Sequence, residues 1–331
     1  MVDVIEHWYR RRLSIFAMLL LPFSYLFQLI VCCRFLLYKI GILRSYAASV
    51  PVVVVGNVTV GGTGKTPFVI WFAQWLKERG YKPGIVSRGY GGKRRNQEPV
   101  QVQLDADPAV VGDEALILRQ HTGCPVVVSV DRVQAVNALL QHTDCDIVIS
   151  DDGLQHYRLR RNFEIAIIDG MRRLGNMRLL PAGPLREPPR RLRRANWIVV
   201  NGSRGGDAMT MELIPEYVVS ICAGVTCRLF QFMDQPVHAV AGVGHPERFF
   251  RMLKQLGLQI IPHAFQDHYR FRKQDIDFQD NLPVIMTEKD AVKCRAFVDT
   301  RHWYLTLRAE MSAELKQSLS RQFARVTESV V

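Results

Sequence analysis

The sequence predicts an α/β fold: a mostly parallel sheet flanked by helices, a second and smaller α/β domain after it, and an apolar helix before it. Three observations predict this. Pro51-Val52-Val53-Val54-Val55 is a short β-branched run that reads as a buried strand, and a glycine loop and a helical apolar stripe follow it. Asp146-Ile147-Val148-Ile149-Ser150 is a second such run and ends in Asp151-Asp152-Gly153. Val237 to Ala241 and Pro283 to Thr287 begin two further strand–loop–helix units.

The first of these units is the most informative. Gly56 to Val60 leads into Gly61-Gly62-Thr63-Gly64-Lys65-Thr66-Pro67, and a helix is expected from Phe68 to Arg79, ended by Gly80. Phe68, Phe72, Trp75 and Leu76 form its apolar stripe. Strand, glycine loop and helix are the context of a P-loop NTPase-like phosphate cradle. Thr59, Val60, Gly61, Gly62, Thr63, Gly64, Lys65 and Thr66 are therefore the expected nucleoside-triphosphate contacts. Glycines let backbone N–H groups converge on phosphate oxygens, and the helix N-terminus favours negative charge. Lys65 would reach the β- and γ-phosphates, and the Thr66 hydroxyl would ligate Mg²⁺. Thr59 stands where the usual first glycine of G-x-x-x-x-G-K-T would be.

Asp151 and Asp152 close the second strand, at the edge where parallel sheets bind ligands, and either suits Mg²⁺. An ordinary turn at Asp152-Gly153 is the alternative reading. Val86 to Gly92 is too glycine-rich for a helix, and Arg88 within it is a candidate phosphate contact. A helix from Asp113 to His121 would open with two carboxylates, Asp113 and Glu114. Cap and first-turn roles explain that pair equally well. Leu179 to Pro188 reads as an extended proline loop. The arginines after it (Arg190, Arg191, Arg193, Arg194) fit a solvated face, anionic lipid or substrate phosphate. Leu213 to Gln231 reads as one or two strands. Asp267-His268, flanked by aromatics, suits a cleft between domains, although a lone histidine is more often structural than catalytic.

A length of 331 residues fits three segments: an apolar one at 1–45, a P-loop domain at 46–212 and a smaller α/β domain at 213–331. The net charge of +12 calls for an acidic partner. Nucleic acid is disfavoured because the aromatic interleaving of a stacking platform is missing. No obligate protein partner is evident. Seven scattered cysteines, none at metal or redox spacing, read as reduced residues of a cytosol-facing chain.

Leu13 to Cys33 carries no charge and is long enough to cross a bilayer. Arg10, Arg11 and Arg12 precede it, but no cleavage site follows, which argues against a signal peptide. With the nucleotide site in the cytosol, a spanning helix would leave those arginines outside, against the positive-inside rule. Pro22 also interrupts the segment. A helix or bent helix pair lying in the interface fits better, and a buried core helix is the alternative.

Gly56 to Pro67, Ser87 to Gly91, Gly112 to Glu114, Asp151 to His156, Leu180 to Glu187 and Asp267 to Tyr269 together resemble the tetraacyldisaccharide 4′-kinases, the lipid A 4′-kinases of Gram-negative bacteria. The likeness extends to Thr287-Glu288-Lys289-Asp290. It implies transfer of the ATP γ-phosphate, with Mg²⁺, to the 4′-hydroxyl of a tetraacylated glucosamine disaccharide 1-phosphate. It also implies an enzyme peripheral to the cytoplasmic face of the inner membrane. By the same likeness Asp113 is the base, paired with His268. Asp151 and Asp152 match the metal-site carboxylates, Glu114 a further active-site acid, and Arg186 a motif near substrate. With the residue readings above, this puts Glu114 with Thr66 at the metal and Arg88 with Arg186 at substrate. His268 and Asp113 then come from different domains, so domain closure would assemble them. The competing class is a membrane-associated P-loop ATPase that switches a protein partner.

Overall fold

Valines 52 to 55 are buried on both faces because each alternate side chain enters a different core. Val53 and Val55 pack with Phe68, Phe72 and Leu76, whereas Val52 and Val54 pack with Leu139, Leu154 and Leu159. This strand, β1 (Val52–Gly56), lies inside one sheet built by the whole chain. The computed structural model describes residues 7–9, 13–92, 98–202 and 205–328; Arg10 to Arg12 lie outside them.

The other strands of the first half are β2 (Pro83–Ser87), β3 (Val100–Gln101), β4 (Val126–Val128), β5 (Ile147–Asp151), β6 (Phe163–Asp169) and β7 (Trp197–Asn201). The second half adds β8 (Thr210–Ser220), β9 (Thr226–Cys227), β10 (Val237–Ala241), β11 (Ile260–Ala264), β12 (Val284–Thr287) and β13 (His302–Met311). Their order is β11-β10-β12-β13-β8-β7-β6-β1-β5-β2-β4-β3, with β9 beside β8. Pairing is parallel except at β3–β4, β8–β9 and β8–β13.

The sheet does not break between the halves. Residues 212 and 213 lie inside β8, which pairs in parallel with β7 and antiparallel with β13. The C-terminal helix (Ala313–Glu328) also returns to the first half, where Phe323 meets Phe72, Trp75, Phe163 and Trp197.

At the other end, the apolar segment folds as two helices, Ile15–Leu19 and Leu21–Lys39. Pro22 sits in the first turn of the second, where its missing N–H costs nothing, so the helix runs on unkinked for 19 residues. That helix is long and apolar enough to cross a membrane, and only 6% of its apolar window is buried. A buried core helix is thereby excluded. One side docks on the protein: Ser24 Oγ donates to the Leu179 carbonyl at 2.7 Å, and Arg194 stacks on Phe35 at 3.9 Å. The other side exposes Phe23, Leu26, Leu29 and Ile30.

Candidate active site

The phosphate loop is shaped by what stands behind it. Gly64 caps the Lys65–Lys77 helix at φ 90°, and a Cβ there would collide with the Asn201 amide. Asn201, at the end of β7, donates instead to the Thr63 carbonyl at 2.9 Å. Arg248 holds Asn201 Oδ1 at 3.0 Å and Asp169 at 3.3 Å, which ties the second half to the loop.

Thr59 does not face the cleft. It is buried in an antiparallel bridge to Leu185, and Val60 N–H donates to the Pro184 carbonyl at 2.8 Å. The proline loop thus grips the start of the glycine loop. Arg186, next along, is swung onto the end of β5.

There Asp152 bridges Lys65 at 3.5 Å and Arg186 at 3.1 Å. Burial raises its carboxyl, but Lys65 and Arg186 outweigh that and hold it at about 2. Asp151 is the opposite case. Burial first, then Glu114 and Asp152, push it up to about 7. Ser87 donates to its Oδ2 at 3.1 Å, while Oδ1 is buried with no hydrogen-bond partner among the described residues. An orphaned carboxylate oxygen beside a second acid fits a divalent cation. Among the described residues no three His, Cys, Asp or Glu side chains cluster to enclose an ion. That suits Mg²⁺, which keeps few protein ligands and completes its shell with phosphate oxygens.

Asp113 and His268 meet without further closure, His268 Nδ1 lying 3.2 Å from Asp113 Oδ2. Burial raises Asp113, but His268 and Lys289 more than cancel it and leave the carboxyl below its ordinary value. His268 adopts φ 59° and packs edge-on against Tyr90, so its ring direction is set by the backbone of the 265–269 turn. Glu114 Oε1 lies 3.1 Å from the Lys289 ammonium.

Val60 to Thr66, Asp152, Arg186, Glu114, His268 and Lys289 line one cleft of about 1010 Å³. Thr59, Asp113 and Asp151 lie behind its wall. Arg88 is not among its lining residues. It lies instead near His156, whose imidazole is held down at about 4 by burial, then by Arg132 and Arg88. His156 belongs to a second pocket of about 250 Å³, under the apolar helix, lined also by Arg34, Arg132 and Arg158. The arginine run is only partly surface. Arg191 is buried and forks onto Glu164 at 2.6 and 2.7 Å, and reaches Glu187 at 3.2 Å.

Sequence reasoning missed Lys289, Asn201 and Arg248. Lys289 was discoverable by the rule that picked out Asp151, since it directly follows a parallel strand. Asn201 and Arg248 act through contacts distant in sequence, and no local pattern marks them.

Residues 16–324 match a family model described as LpxK: Tetraacyldisaccharide-1-P 4′-kinase. A tetraacyldisaccharide 4′-kinase of Nitrosococcus oceani is 49% identical over 310 residues, covering 94% of this chain and 91% of the relative. One from Pasteurella multocida is 45% identical over 98% of this chain and 100% of its own length. A crystal structure of LpxK from Aquifex aeolicus, an "apo" form in complex with ATP, superposes with TM-score 0.76 at 30% identity, covering 93% of this chain and 99% of that one.

Proposed function

The chain belongs to the LpxK family of tetraacyldisaccharide 4′-kinases, and on that premise we propose how its own residues carry the reaction. It is an ATP-dependent lipid kinase of lipid A biosynthesis. It moves the γ-phosphate to the 4′-hydroxyl of a tetraacylated glucosamine disaccharide 1-phosphate.

The observation that carries the site assignment is that the cleft lined by the phosphate loop also reaches His268, whose Nδ1 lies 3.2 Å from Asp113 in the wall behind it. Phosphoryl transfer asks a protein mainly for alignment and charge stabilisation, plus an acceptor for the hydroxyl proton. The 46–212 segment supplies the donor half: backbone N–H groups of Val60 to Gly64 and the Lys65 ammonium hold the phosphates. Thr66, Asp151 and Asp152 would hold Mg²⁺, which neutralises charge on the β- and γ-oxygens when bound. Arg186 leaves Asp152 for the incoming phosphate or the acceptor sugar. Asp113 takes the 4′-hydroxyl proton, and His268, from the 213–331 segment, orients it.

Arg34 in the pocket beneath the apolar helix, with Arg88 nearby, suits an acidic sugar phosphate, whereas Arg158 there pairs with Asp131 and Arg132 is buried on the Ser129 and Asp151 carbonyls. The exposed apolar face of the Leu21–Lys39 helix supports the reading of a monotopic protein on the cytoplasmic leaflet of the inner membrane. There it meets an acylated acceptor without extracting it. Incubation with Mg-ATP and the disaccharide 1-phosphate in mixed micelles tests the function. A 4′-phosphorylated lipid is expected, whereas ATP hydrolysis without phospholipid product would favour a switch ATPase.

A further inference from the structure

Lys289 sits in the first turn of the Glu288–Cys294 helix, where a cation opposes the helix dipole. Something must compensate, and three acceptors do. Its ammonium lies 3.1 Å from Glu114 Oε1, 3.3 Å from Asp267 Oδ1 and 3.2 Å from His268 Nε2. An ammonium has three protons to donate and no lone pair to accept with. Burial disfavours its charge, but Glu114, Asp113 and Asp267 raise its pKa and keep it protonated. The helix is anchored beneath it: Thr287 caps it by accepting from Asp290 N–H, and Asp290 accepts from Gly242 N–H at 2.8 Å.

The contact with His268 has a chemical consequence. Nε2 faces a pure donor and must present its lone pair. In a neutral imidazole the single proton then sits on Nδ1, which lies 3.2 Å from Asp113 Oδ2 without yet being aligned as a hydrogen bond. The other Asp113 oxygen accepts from Glu114 N–H at 2.8 Å. We infer that Lys289 is a positioning residue for the Asp113–His268 pair: it fixes the His268 imidazole as the Nδ1-protonated tautomer, so that the nitrogen carrying the proton is the one beside Asp113 and a small ring rotation lets it donate to the carboxylate when the acceptor hydroxyl arrives. This rests on the reading of that pair as the proton acceptor of the reaction.

The test has two parts, both on the full chain in detergent. Long-range ¹H–¹⁵N spectra of ¹⁵N-histidine protein at neutral pH report the tautomer of His268, assigned by its loss in His268→Gln. The wild type is expected to show Nδ1–H alone. Lys289→Met is expected to lose that single tautomer and to drop kcat by at least about tenfold with KM for ATP little changed. Lys289→Arg, still a pure donor, should recover the tautomer and much of kcat. A wild-type ring protonated on Nε2, or on both nitrogens, overturns the inference whatever the variants do. So does an unchanged Nδ1–H tautomer in folded Lys289→Met. If instead Asp113→Asn and His268→Gln keep full kcat, the base assignment fails while the tautomer result stands on its own.

Discussion

His268 Nδ1 lies 3.2 Å from Asp113 Oδ2 although one residue follows β10 and β11 and the other opens a helix between β3 and β4. β11 and β3 stand at opposite ends of the strand order, and the two residues meet where the Glu288–Cys294 helix packs against the Asp113–Thr122 helix, with Lys289 3.1 Å from Glu114. The pair is therefore a property of the resting fold.

For Asp113→Asn, kcat is expected to fall about 10²- to 10⁴-fold, the usual worth of a positioned base. Steady-state kinetics and direct binding of a non-hydrolysable ATP analogue check it together. Loss of analogue affinity as large as the loss of turnover would count against a base.

Gly64→Ala places a side chain against the Asn201 amide at a left-handed position. The backbone term alone costs about 1–2 kcal/mol. A KM for ATP raised about tenfold with a lower Tm is the expected result, and an unchanged KM would refute the close approach.

Asp151 ionises near pH 7 in the folded chain because burial, Glu114 and Asp152 oppose its charge. Cation binding requires the carboxylate, so protons compete below that pH. Mg²⁺ affinity, measured by titrating activity with metal, should weaken from pH 8 to pH 6. Chelation should abolish turnover at both. A pH-independent affinity would remove Asp151 from the metal site.

Arg191→Met strips Glu164 and Glu187 of their shared guanidinium, while Arg161 stays 3.1 Å from Glu164 and Tyr157 still donates to Glu187. A loss of about 3 kcal/mol, the low end for a broken buried pair, is therefore expected in chemical denaturation at pH 7. The pH dependence has a definite sign. Burial raises Glu164, but Arg191 lowers it further and leaves its folded pKa below the ordinary value. The stabilisation is therefore complete above the ordinary glutamate pKa and fades as pH falls through the folded one. The gap between wild type and variant should narrow in acid; a gap that widens would contradict the pairing.

Leu26 and Ile30 are 56% and 57% exposed, so replacing both with Glu should leave the fold intact. Flotation with anionic vesicles should then drop sharply relative to wild type. Equal flotation of the two proteins would assign membrane attachment elsewhere.

Much of this site is legible in the sequence. A valine strand, a glycine loop and an amphipathic helix are local signals, and each forms where its residues require. The carboxylates at the end of β5 follow from the same logic. What local pattern does not reveal is reciprocal contact: that Thr59 turns away to pair with Leu185, that Lys289 claims Glu114, and that Arg191 is buried on Glu164. The arginine run shows why. Charge runs usually face water, and only tertiary partners distant in sequence turn one of them inward.

The parallel pairing of β7 with β8 also bears on how the enzyme cycles. Two lobes joined by a bare linker open by bending it, at little cost. Here β7 pairs with β8 between the halves at Val200–Thr210 and Asn201–Met211, and Phe323 of the C-terminal helix packs back on Phe72 and Phe163, so a wide opening would break both contacts. Movement is left to a gentle elastic twist of the sheet and to the short turns along its rim, Gly242 to His245 and Phe265 to Tyr269. Substrate entry and product release in this kinase are thus expected to be governed by those turns, at the pace of loop rearrangement rather than of lobe rotation.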